Sequence, residues 1–278
     1  MPDTVMRHCT DAKTDWRAWW LRAGGISFGV ATQLVFVPTV YYVFLFLRDG
    51  VSRPANGWLA IDCLLALQFA VIHSLLLLPR TRSMLARIIP SQLYGNLFAV
   101  ATCVGLSIMF ATWRSSPVLI WEATGWSRIA LSTGFYASWV TLIYSLKLVG
   151  LGYQTGLTQW VYWLRRETLP RREFVERGIY RWMRHPVYLS FLGLIWFTPR
   201  MTADHAVLTG LWTVYIFVGS YLKDRRMTFY LGDVYREYAS SVPGFPGMFF
   251  GPLGKWRSLE SKRLAEDVVA NAKLPQAA

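Results

Sequence analysis

An all-α integral membrane protein, with about five to six transmembrane helices including a C-terminal helical hairpin, is what the sequence predicts. Three observations lead there. The 278 residues are 54% hydrophobic and 16% aromatic, with a mean hydropathy of +0.29, which is too apolar for an ordinary soluble domain. The apolar residues are clustered: residues 23–47 carry no charge, and about twenty such residues cross a bilayer as a helix. The basic residues gather in alternate connections between the clusters.

Six apolar segments follow one another: 23–47, 57–79, 93–113, 127–152, 187–199 and 203–222. The first and third are free of charge. The second holds Asp62 near its start and His73 near its end, both expected to hydrogen-bond within a turn of the interface. The fourth holds Lys147 near one end, where a long side chain snorkels to water. The fifth is only about a dozen residues, short for a span, and Thr198, Pro199 and Arg200 end it. It is expected to form a tight hairpin with the sixth segment, or a partly re-entrant helix. Irregular backbone at membrane depth is tolerated where protein or a cavity covers it, so this half of the chain is expected to enclose something.

Charge sets the orientation. Lys and Arg number four before the first segment, three in the second connection (Arg80, Arg82, Arg87), seven in the fourth and nine after the sixth. The opposite connections hold only Arg48, Arg53, Arg114, Arg128 and Arg200. This is the positive-inside pattern, with both termini cytoplasmic. The net charge of +13 is thereby assigned to orientation and to contact with anionic membrane lipids, and a nucleic-acid partner is excluded. The acidic start, with Asp3, Asp11 and Asp15, does not read as a cleaved signal peptide. Cys9, Cys63 and Cys103 form neither a disulfide framework nor a zinc site, and four dispersed histidines suggest no metal. The chain divides into a cytoplasmic segment (1–22), a four-helix membrane region (23–152), a C-terminal core (153–254) and a charged tail (255–278), expected to form a short solvated helix.

The chemistry gathers where the fourth connection meets the fifth segment, in "RGIYRWMRHPVYLSFLG" (177–193). Pro186 suits the first position of a helix, which puts Arg184 and His185 just outside a helix N-terminus, an end suited to a carboxylate or phosphate. Arg184 adds a permanently charged donor fork, and His185 donates or accepts at neutral pH. Tyr180 and Tyr188 flank the turn with aromatic faces and hydroxyls. Arg, Pro and Tyr at a membrane threshold are also ordinary interfacial features. A second polar stretch, "YLKDRRMTFYLGDVYREYASSVPGFPG" (221–247), returns to the same membrane face after the hairpin. The two stretches are expected to close one site.

These residues resemble the signature of membrane-embedded methyltransferases related to isoprenylcysteine carboxyl methyltransferase and phospholipid N-methyltransferases. Gly178 and Tyr180, then Arg184, His185, Pro186 and Tyr188, a hairpin, Lys223 and Asp224, Gly232 with Tyr235 and Tyr238, and Val242 with Pro243 keep that order and spacing. Most of residues 30–247, including residues 69–125 and "FTPRMTADH" (197–205), is similar to the bacterial methanethiol S-methyltransferases and NnrU-like membrane proteins. The resemblance implies S-adenosylmethionine as cofactor, bound by cytoplasmic loops, with Arg184 and His185 as catalytic residues. It implies Phe174, Val175, Tyr180, His185, Pro186, Val187, Tyr188 and Asp224 as cofactor contacts. It further implies a bacterial inner-membrane location and a small thiol acceptor such as methanethiol, giving dimethyl sulfide. The alternatives are a prenylcysteine or lipid acceptor on the same fold, or a non-catalytic NnrU-like scaffold with a degenerate cofactor site. Several positions depart from the pattern. Lys223 replaces the first of two acidic residues, by resemblance a cofactor contact, Ser190 replaces a glycine, and Tyr153 and Thr158 replace an Asp and an Arg.

Overall fold

The structure, a computed structural model, describes residues 16–170, 174 and 176–257. Val175, Cys9 and the helix expected in the tail lie outside the described residues.

Among the described residues, five helices are long and apolar enough to cross a membrane, and the fold is all-α apart from one short ribbon. The long helices are α1 (Trp16–Asp49), α2 (Trp58–Leu77), α4 (Tyr94–Thr112), α5 (Gly125–Leu148) and α9 (Ala203–Leu231). Between α2 and α4 lies the short α3 (Pro79–Leu85). After α5 come α6 (Leu151–Gln154) and α7 (Leu157–Arg165), and α8 (Pro186–Trp196) precedes α9. The last helix among the described residues, α10 (Asp233–Ser241), follows the turn at Gly232. The core is aromatic where α1, α4 and α5 meet, with Phe46, Trp113 and Phe135 buried. Phe46 stands edge-on to Trp113, ring centroids 5.4 Å apart.

Contacts show which helix ends share a face. At one end, Arg22 of α1 donates to Leu164 O of α7 at 2.9 Å, and Trp160 Nε1 donates to Gly25 O at 3.0 Å. Gly156, at φ +75, lets the α7 turn press on the start of α4: a Cβ there would stand 2.4 Å from Asn96 N and from the Gly95 carbonyl carbon. These are the ends that carry the basic connections. At the other end, Arg53 N donates to Ser115 Oγ at 2.8 Å. The helices therefore alternate in direction as the charge pattern requires.

The fifth segment is half helix. Eleven residues of α8 rise about 16 Å, roughly half the hydrocarbon thickness. The chain then continues extended into β2 (Arg200–Thr202), which pairs antiparallel with β1 (Leu119–Glu122). This ribbon was not expected from the sequence. It answers the requirement that backbone polar groups be paired. Ala123 N donates to Pro199 O at 2.8 Å and Ala203 N to Val118 O at 2.9 Å, while Thr209 Oγ1 covers Ile195 O at 3.0 Å. Beside it, Asp204 accepts from Trp113 Nε1 at 3.0 Å and from Ser116 N at 2.9 Å.

The polar groups of α2 are paired in part as expected. Asp62 Oδ1 accepts from Arg114 N at 3.0 Å, and His73 Nδ1 lies 3.2 Å from Thr102 Oγ1. Lys147 is exposed in the last turn of α5.

Candidate functional site

The sixth segment runs further as a helix than as an apolar run. Residues 223–231 keep helix-forming side chains, and Gly232, at φ +58, is the first residue free to leave the helix. Counted from Ala203, Lys223 and Asp224 lie about 30 Å along α9, a hydrocarbon thickness away. They emerge beside the start of α8, where the turn before Pro186 holds Arg184 and His185. The two polar stretches of the sequence do close on one another.

They close through backbone as well as side chains. Arg184 N donates to Pro243 O at 2.9 Å, His185 N to Gly244 O at 3.1 Å, and Gly244 N to Leu253 O at 2.8 Å. The Arg184 guanidinium then enters the cap formed by α10 and residues 242–256. Its Nη1 donates to Val242 O at 2.7 Å, Gly254 O at 3.0 Å and Ala239 O at 3.1 Å. Its Nη2 meets Asp224 Oδ2 at 2.9 Å, and both side chains are 0% exposed. The face of Trp256 covers the guanidinium at 5.2 Å. With Pro252 O at 3.5 Å from Nη2, five acceptors thus hold one buried cation, which is why it tolerates burial.

Asp224 is shared three ways. Tyr235 donates its hydroxyl to Oδ1, and His185 Nε2 lies 3.1 Å from the same oxygen, a contact that lacks hydrogen-bond alignment. A carboxylate only accepts, so this contact favours the tautomer with the proton on Nε2 and leaves Nδ1 with its lone pair. Nδ1 is buried with no partner among the described residues. Burial holds His185 below its ordinary value; the Lys223 and Arg184 charges act in the same sense, and Asp224 opposes them. The imidazole is neutral at pH 7. Burial, reinforced by the Asp224 charge, raises the Tyr235 hydroxyl, so it stays a donor.

The remaining expected site residues divide. Tyr180 and Tyr188 flank the mouth of the cluster, and the Lys223 ammonium stands 5.9 and 5.6 Å from their ring centroids. Burial pushes the Tyr180 hydroxyl up to about 12, and that hydroxyl has no partner among the described residues. Pro186 is buried in the first turn of α8. Val187 packs on the membrane-side core, while Phe174 packs edge-on against Tyr238, centroids 5.0 Å apart. Sequence reading missed Tyr235 as the partner of Asp224, Phe245 as the ring 5.4 Å from His185, and the carbonyls that fix Arg184. The tyrosine lay within the quoted motif; the carbonyls leave no sequence signal.

The curated proteins to which the chain is similar include methanethiol S-methyltransferases and nurim. The chain is 29% identical over 226 residues, 77% of this chain and 79% of the relative, to methanethiol S-methyltransferase 1 of Bradyrhizobium diazoefficiens. It is 28% identical over 227 residues, 78% of this chain and 93% of the relative, to methanethiol S-methyltransferase of Mycobacterium tuberculosis. It is 25% identical over 212 residues, 68% of this chain and 80% of the relative, to nurim of Rattus norvegicus. No family model matches the chain, and no solved structure matches it. The first two relatives bear out the resemblance that the motifs carry.

Proposed function

We propose that this protein is a membrane methyltransferase that moves a methyl group from S-adenosylmethionine to a small thiol of the methanethiol kind. The site faces the cytoplasm of a bacterial inner membrane, and both termini lie on that side. The observation that carries the reading is the buried cluster of Arg184, His185 and Asp224, which leaves His185 Nδ1 without a partner among the described residues, its ring 5.5 Å from that of Tyr188. Likeness over more than three quarters of the chain to proteins named methanethiol S-methyltransferase supports it.

The residues present fit such a donor. Buried polar atoms without partners among the described residues, Tyr180 Oη and His185 Nδ1 among them, call for a polar ligand, and the tyrosine rings suit a flat or cationic one. When bound, S-adenosylmethionine supplies a methyl group on a sulfonium sulfur. Methyl transfer is an in-line displacement, so the protein contributes chiefly position. Arg184 supplies that position by fixing the cap onto the α8 turn, without touching substrate. His185, held neutral by burial and oriented by Asp224, takes the S–H proton at Nδ1. With that proton held on His185, the thiol sulfur would be free to accept the donor's methyl group, the electron pair of the broken sulfonium bond staying with the donor sulfur. The products are a thioether and neutral S-adenosylhomocysteine.

Detergent-purified protein supplied with methyl-labelled S-adenosylmethionine and methanethiol is expected to release labelled dimethyl sulfide into the headspace. Label in extracted lipid and none in the headspace would replace the thiol with a prenylated or lipid acceptor. Absence of label in both, from protein that unfolds cooperatively, would defeat the enzyme reading.

A further inference from the structure

Lys223 and Asp224 are neighbours on α9, yet their side chains part. Asp224 enters the cap, where Arg184 takes one carboxylate oxygen and Tyr235 and His185 meet the other. The Lys223 ammonium stays at the mouth, half-buried, over the rings of Tyr180 and Tyr188. It has no carboxylate partner among the described residues. The Tyr188 hydroxyl is engaged with Gly219 O at 3.4 Å, while the Tyr180 hydroxyl is buried and unpartnered. Lys223 thus presents an ammonium with three N–H donors over the Tyr180 ring, and that tyrosine carries a further unpaired hydroxyl donor, with no anion among the described residues to receive them. Aromatic faces compensate such a cation only in part. Donors left unpaired on partly desolvated groups mark a place for a charged acceptor.

We infer that Lys223, with the Tyr180 hydroxyl beside it, anchors the carboxylate at the amino-acid end of the methyl donor; this rests on the donor reading above and fixes which end of the donor lies at the Tyr180–Tyr188 mouth. The other anion of the reaction is the acceptor thiolate, and electrostatics argue against it here. A thiolate in line for attack stands about 3–3.5 Å from the methyl carbon. An ammonium holding it would therefore also face the sulfonium and repel it. The donor's carboxylate is separated from its sulfonium by a chain of carbons. It takes two or more hydrogen bonds while keeping the ammonium away from the reacting centre. Lys223 is thereby a positioning residue, a cation where the resembled pattern carries an acid.

The test is calorimetric binding to the detergent-purified full chain, with two ligands: S-adenosylhomocysteine and its decarboxylated analogue. Wild type is expected to bind the first about tenfold or more tightly, the worth of a charge-assisted contact. Lys223→Met is expected to bring S-adenosylhomocysteine down to the analogue's affinity and to leave the analogue unchanged, while Lys223→Arg retains most of the preference. If Lys223→Met binds S-adenosylhomocysteine as wild type does, the carboxylate is held elsewhere and the assignment fails while the donor reading stands. If folded wild type binds neither ligand, the donor reading fails and the assignment with it. Should Lys223→Met not fold, the wild-type comparison decides alone, and equal affinity for the two ligands overturns the assignment.

Discussion

Asp224→Ala removes the one carboxylate that Arg184, His185 and Tyr235 share. Both side chains of the Arg184–Asp224 pair are 0% exposed, so no solvent screening softens the loss. Breaking a buried pair by deleting one partner costs about 3–5 kcal/mol. The lower end applies here, because Nη1 keeps the carbonyls of Ala239, Val242 and Gly254. The orphaned Tyr235 hydroxyl adds about 1 kcal/mol, for an expected total of about 4 kcal/mol. Unfolding titration in mixed micelles, read by tryptophan fluorescence, measures it. The companion variants are Arg184→Met and the double substitution Arg184→Met with Asp224→Ala. Once the cation is gone, the missing carboxylate leaves no buried charge, so the double variant should fall short of the summed single losses by about 2 kcal/mol. Strictly additive losses, or an Asp224→Ala protein as stable as wild type, would falsify the account of the cap as held by this pair.

His185 and Gly156 give two further expectations. The folded state holds His185 below its ordinary 6.5, so as pH falls the unfolded chain binds the proton first. The stability it contributes is complete above about pH 6.5 and declines below that as pH falls toward the depressed value. Comparing unfolding free energies across about pH 5 to 8, wild type should lose this increment and His185→Gln should not; parallel curves sink the argument. Gly156→Ala places a methyl group against the backbone of Gly95 and Asn96 at a positive φ. We expect a loss of about 1–3 kcal/mol in the same titration, and an unchanged midpoint would show that α7 does not bear on α4 there.

The spans were legible because burial in lipid imposes long uncharged runs, and the end-to-end alternation was legible because loops write their charge into sequence. The limits of α9 were not: Lys223, Asp224, Arg225 and Arg226 interrupt hydropathy without interrupting helix, so the apolar run stops at 222 while the helix continues to Leu231. Nor was the β1–β2 ribbon. Its strands are four and three residues long and pair across a wide gap in sequence, and such short strands carry no period of their own.

Arg184 and Lys223 show most clearly why a site outruns its motif. In the sequence they are two cations expected at the same membrane face, and the resemblance gives the first a catalytic role and makes the second a departure. What separates them is the inventory of acceptors around each. Arg184 meets backbone carbonyls of Ala239, Val242 and Gly254, and since every residue has a carbonyl, no residue type advertises them. Lys223 meets two aromatic rings and, among the described residues, no anion, and a missing partner is written nowhere in a chain. A cation whose Nη donors are taken by the cap organises the protein around itself, whereas a cation left short of an acceptor is available to a ligand. The position that departs from the pattern is thus the one whose charge the described residues leave uncompensated.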